Sequence, residues 1–147
     1  MLRFRLTHPV GSSLVALMAV ATAMIAGHTD LAADSGAVLK LKPETHDFGK
    51  VTATNSSAPL TVTVTNKSST DAITFTSIVA AETFSIQSDQ CSGAPLAPGR
   101  SCKVEVVFHP LVTGKVNDKS GLTFTDSAQS SPQQIELDGQ GTVGSFF

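Results

Sequence analysis

Beyond the first 33 residues, few side chains are of types that could do chemistry: Cys91, Cys102, His46 and His109 stand out. The cysteines lie eleven positions apart, which is not the Cys-x-x-Cys spacing of a redox motif. An even pair in an exported chain reads as one disulfide, with two free thiols as the alternative. Closing a loop of about 12 residues would contribute roughly 3 kcal/mol through the unfolded state. A blue-copper site needs two His, a Cys and a weak axial ligand, usually Met. Here Met1, Met18 and Met24 all fall in the N-terminal leader. A closed zinc site needs four ligands, and His46, Asp47 and His109 leave it incomplete. Neither a Gly-x-Ser-x-Gly nucleophile turn nor a Gly-rich phosphate loop occurs. These residues predict no catalytic site, no metal and no cofactor.

The elements that must carry these residues are short strands. Helical periodicity is missing after the leader, and β-rich runs recur between Gly, Pro, Asn, Asp and Ser. Residues 37–41 (AVLKL) open the series, and Pro43 ends that run. Residues 48–51 (FGKV) form a short edge segment. Leu60, Val62 and Val64 alternate with Thr61, Thr63 and Thr65, and 66–71 (NKSSTD) turns the chain. In 73–79 (ITFTSIV) the alternation slips between Phe75 and Ile78, as at a bulge or an edge. Phe84 and Ile86 face inward next, then Cys102, Val104, Val106 and Phe108, with Val107 as the exception. Leu122 with Phe124, and Ile135 with Leu137, mark the last two strands, and Gly139 and Gly141 close the domain. Between the cysteines, Pro98-Gly99 suits the centre of a type II turn, which returns Cys102 towards Cys91. Seven or eight such strands predict an all-β antiparallel sandwich built as one module.

The leader reads as a signal peptide. Arg3 and Arg5 precede an uncharged apolar run, 14–26 (LVALMAVATAMIA), with cleavage expected between 23 and 33. That run is shorter than the about 20 residues of a membrane-spanning helix. An uncleaved anchor and a buried core helix are the competing readings. No membrane span is expected after cleavage, and the chain is expected to be secreted or periplasmic. A linker and the first strand would occupy 34–46, the sandwich 47–142 and a tail 143–147.

After residue 33, eight Lys/Arg face eleven Asp/Glu, a net charge of −3 scattered singly. No basic stripe is available for nucleic acid. Trp and Tyr are absent, although sugar-binding sandwiches usually stack their ligands on such rings. Asn55-Ser56-Ser57 and Asn66-Lys67-Ser68 fit the glycosylation sequon, and both also read as ordinary turns.

From Asp47 to Gly141 the chain resembles the ASH domain, called choice-of-anchor D in bacterial proteins and related to major sperm protein domains. The resemblance rests on Asp47-Phe48-Gly49-Lys50-Val51, the run 61–66 (TVTVTN) and Phe84-Ser85-Ile86. It continues through Cys91-Ser92-Gly93, Leu96-Ala97-Pro98-Gly99 and Ser101-Cys102, then 104–110 (VEVVFHP) and 135–141 (IELDGQG). It implies an immunoglobulin-like sandwich with Phe48 inserted into its core.

The function expected is non-catalytic: an exported module that binds a protein partner of unknown identity through an open sheet edge. Two surfaces are candidates. One is the edge around Phe48 and Val51; the other is the slipped strand holding Ile73 and Ile78. A passive spacer of the envelope, or one unit of a longer array, is the alternative. A carbohydrate-binding module is a further one.

Overall fold

Alternating apolar and Thr side chains make the central strand of one sheet, in which Val62 and Val64 are fully buried and Thr61 is exposed. The computed structural model describes residues 36–145. The expected signal peptide and its cleavage site, and Phe146 and Phe147, lie outside the described residues. Eight strands follow in order: β1 (Leu39–Lys42), β2 (Thr45–Thr52), β3 (Leu60–Asn66), β4 (Phe75–Ala80), β5 (Phe84–Asp89), β6 (Ser101–Phe108), β7 (Gly114–Asp126) and β8 (Gln133–Thr142). They form two four-stranded sheets, β1-β3-β6-β5 and β2-β8-β7-β4.

This is the strand order of a constant-type immunoglobulin sandwich, with the first strand divided between the sheets. The division falls at Pro43, which has no N–H to give a ladder. Beyond it the chain keeps its direction and joins the other sheet, where β2 pairs with β8 in parallel. That pairing departs from a wholly antiparallel sandwich; the remaining ladders are antiparallel.

Val62, Val64, Val104, Val106 and Phe108 of one sheet face Leu122, Phe124, Ile135 and Leu137 of the other, all fully buried. Each contributes roughly 2 kcal/mol of burial.

Three expectations need correction. The strand marked by Leu122 and Phe124 is only the second half of β7, which begins at Gly114. Its first half is polar (GKVNDKS), and its register shifts between Asp118 and Leu122, so no clean alternation marks it. Gly139 and Gly141 do not close the domain but lie inside β8. A Cβ on Gly139 would meet the Phe108 ring at 2.7 Å, and one on Gly141 would strike the Val112 carbonyl. Their small size permits close approach, so they mark packing. Finally, Ile73 is not part of the edge strand, which starts at Phe75. It forms an isolated bridge with Leu96 and is fully buried.

Candidate functional site

The cysteines build one end of the sandwich. Cys91 and Cys102 are bonded, with Cα atoms 5.2 Å apart. They join the chain after β5 to the start of β6, neighbours in one sheet. In the loop between them, the Arg100 N–H donates to the Ala97 carbonyl at 3.1 Å, closing a turn around Pro98 and Gly99. Gly99 has φ 69°, a left-handed conformation that glycine adopts without cost from a Cβ. Buried Leu96 carries the loop against the core.

Asn66 ties this loop to the rest of the fold. It is fully buried at the end of β3. Its Nδ2 donates to the carbonyls of Asp71 (2.7 Å) and Leu96 (2.9 Å), and its Oδ1 accepts from the Ser68 N–H. Its backbone also bonds Gly99 and Arg100. The sequence placed Asn66 at a turn; the tertiary contacts make it the hub of that turn. Asp89 adds a local cap, accepting from the Cys91 and Ser92 amides at 2.7 and 3.0 Å. Burial pushes the Asp89 carboxyl up, but bonds from the Ser92 side chain and the Cys91 and Ser92 amides outweigh it and hold it below the usual value.

Phe48 and Val51 lie on β2, an edge strand. Both side chains are half-buried and pack on the core. The Phe48 ring centroid is 5.8 Å from that of Phe84 and 6.0 Å from that of Phe108, and His46 meets Phe48 edge-on at 4.7 Å. Gly49, at φ 68°, lies where the ladder shifts between Asp47 and Lys50. Asp47 and Lys50 are exposed on either side of this bulge. The neighbouring edge, β1, carries Lys40 and Lys42 and is followed by Pro43.

Ile78 lies on β4, the opposite edge of the same sheet. This strand (FTSIVA) holds no charge, Pro or Gly. Its ladder shifts between Phe75 and Ser77, matching the slip in alternation. Val79 faces outward and is 56% exposed. Phe75, Ile78, Ala80 and Ala81 are only partly buried against the core, as is Ile86 on β5, the edge of the other sheet.

Two further polar groupings lie on the surface. Ser56 Oγ lies 3.0 Å from His109 Nδ1 in an exposed pair beside the loop that follows β2. Asn117 Nδ2 bridges Asp138 Oδ1 and Glu136 Oε1 on the outer face of the second sheet. A shallow recess of about 430 Å³ there is lined by Asp47, Lys50, Lys115, Asn117 and Asp138. Among the described residues, no group of three His, Cys, Asp or Glu side chains is placed to hold a metal ion.

Residues 37–140 match the family described as HYDIN/CFA65/VesB-like, Ig-like domain. No curated protein sequence matches the chain. Several solved structures share its fold. The ASH/PapD-like domain 7 of human CEP192 is 14% identical with a TM-score of 0.54, over 76% of this chain and 89% of that one. A protein of Porphyromonas gingivalis W83 is 12% identical with a TM-score of 0.57, over 71% of this chain and 46% of that one. The secreted serine protease VesC of Vibrio cholerae is 21% identical with a TM-score of 0.52, over 74% of this chain and 24% of that one. The chain thus spans less than half the length of either bacterial protein, and at these identities the likeness is one of fold.

Proposed function

Because the chain belongs to the HYDIN/CFA65/VesB-like Ig-like domain family, we propose that its sandwich is a non-catalytic, exported module that binds a protein partner along a sheet edge. Export is supported by the signal-like leader and by the disulfide, which suits an oxidising compartment. The secreted nature of VesC is in keeping with it.

One observation carries the binding reading. Both candidate edges carry a bulge, but β4 holds no charge, Pro or Gly and is regular beyond Ser77, whereas β2 adds a left-handed Gly49 and flanking charges that oppose strand addition. A pull-down from periplasm or culture medium tests it. Wild-type chain is expected to retain a partner that Val79→Lys loses and Lys50→Ala keeps. Equal retention by all three baits removes β4 as the surface.

A spacer role is favoured by a different observation. Ala37 bonds Gln129 and Val38 bonds Lys67 near the disulfide end, whereas Thr142 bonds Ala53 beside Pro110 at the other end. The described chain therefore begins and finishes at opposite ends of the sandwich, as a unit in a row would. Finding that the exported chain retains no partner, and that neighbouring reading frames encode further copies of the same domain, would support this reading over binding.

A further inference from the structure

Resting on the edge-binding reading, we infer that β4 accepts an uncharged extended segment of another protein, with apolar side chains at alternate positions, docked on the backbone of Ile78 and Ala80. The hydrogen-bonding direction of β4 fixes which groups are available. The Ala81 N–H donates to the Gly121 carbonyl at 3.0 Å, so residue 81 faces β7. In an antiparallel pair, the residues that bond across the ladder alternate with residues that do not. With Val79 opposite Thr123 and Ala80 opposite Leu122, the bonded positions include Val79, and Ile78 and Ala80 turn their N–H and C=O groups to the free edge. Only an extended chain presents donors and acceptors at the spacing to meet such a row.

Two surfaces flanking that row set the chemistry of the segment. On the outer face, Ser77 and Val79 stand opposite Thr125 and Thr123, a strip without charge. The other half of the same face, over β2, β8 and the start of β7, carries Asp47, Lys50, Lys115, Glu136 and Asp138. A charged segment at β4 would lose hydration and gain no counter-charge there. On the inner side, Ile78, Ala80 and Ile86 are only half-covered at the mouth between the two sheets. The inward side chains of an added strand would lie over them and extend the core by one row. The bulge at Phe75 to Ser77 limits the usable edge to its second half, so the contact is short.

The probe is a capped hexapeptide of alternating Thr and Val, added to the full chain, with amide hydrogen exchange as the readout. Slowed exchange at Ile78 and Ala80, with β1, β2 and β5 unchanged, is expected. A peptide with Lys in place of its Val residues should bind about tenfold more weakly or worse. Ala80→Pro removes one outward N–H while leaving the β7 ladder intact, because an edge strand tolerates Pro where the N–H faces solvent. That variant should keep its melting temperature and lose the protection. No peptide-dependent protection, protection on another edge, equal binding of the Lys peptide, or unchanged binding by Ala80→Pro each overturns the inference. Protection at Ile78 and Ala80 that grows with the concentration of the chain alone overturns it too, since the occupant is then a second copy. If the inference fails while the pull-down partner is still lost from Val79→Lys, the edge-binding reading survives without this docking mode.

Discussion

The two flanks of the sandwich are built from the same kinds of strand and end differently. On the β1/β2 flank, Phe48 turns inward against the paired rings of Phe84 and Phe108, and Lys40, Lys42, Pro43, Asp47 and Lys50 mark the outer edge. On the β4/β5 flank, Ile78, Ala80 and Ile86 reach the core but do not seal it, and β4 offers no charge at all. The difference teaches that edge protection here is local. Charge and a left-handed glycine guard one edge of a sheet and are lacking on the other edge of the same sheet, where a bulge at Phe75–Ser77 is the one irregularity.

The comparison can be broken most sharply at Phe48. Phe48→Ala should cost about 3 kcal/mol of stability, because it opens a space beside two other rings. Denaturant unfolding gives the number, and a loss below about 1 kcal/mol would mean that the β2 flank is not sealed by this ring. On the other flank, reducing Cys91–Cys102 should cost roughly 2–3 kcal/mol, since the bond closes a loop of about 12 residues that anchors β5 to β6. A melting curve with and without reductant reads it, and an unchanged midpoint would remove the bond from the stability of that flank.

Asn66→Ala comes next, at about 2 kcal/mol, because it removes the side-chain bonds to the Asp71 and Leu96 carbonyls and the Ser68 amide, leaving Leu96 only its bond from Ile73, and loosens the segment that leads to β4. Faster exchange of the Ile73 and Leu96 amides should accompany the loss. Ile78→Ala should cost about 1 kcal/mol, below Phe48→Ala, since from a similarly half-buried site it removes a smaller side chain that meets no cluster of rings. Equal costs at Phe48 and Ile78 would erase the contrast between the flanks.

The smallest effect is in the pH dependence. Asp89 has a folded-state value held below the ordinary one, so its stabilisation is present above about pH 4 and is lost as the pH falls through the lowered value. Asp126 at the end of β7 is the opposite case. Burial raises it, against bonds from the Ala128 amide and the Gln133 side chain. Its contribution is fully present below the ordinary value and is lost as the pH rises through the raised one. Asp89→Asn should therefore flatten the acid limb of the stability curve, and Asp126→Asn should lessen the decline above it. Urea midpoints taken across the acid range test both, and parallel curves for wild type and variants would contradict the assignment.

Much of this was legible in the residues. The alternation of 60–66 and of 102–108 revealed the two central strands of the first sheet. The slip after Phe75 marked an irregular edge that the structure has at that place. Phe48 was readable as an inserted side chain. The first half of β7 was not, because outward-facing polar residues in a bulged strand leave no period to read. Ile73 was misread as part of an edge because a β-branched residue beside a strand looks like one of its members. Its partner, Leu96, comes from a loop 23 positions away in sequence. Asn66 was missed as a hub for the same reason: a turn-forming Asn and a buried Asn have the same neighbours in sequence.

What the sequence by itself determined is the all-β character and most of the strands, the pairing partners available to Cys91 and Cys102, and the poverty of reactive groups. These follow from side-chain type and short spacing, which act over a few residues. Only the tertiary structure decided which edges stay open, which apolar residues lie inside the core, and that β2 changes sheet to run parallel with β8. Those outcomes depend on which distant segment covers a given residue. Burial of Ile73 by the disulfide loop and exposure of Val79 are settled by neighbours remote in the chain, and no local pattern encodes them.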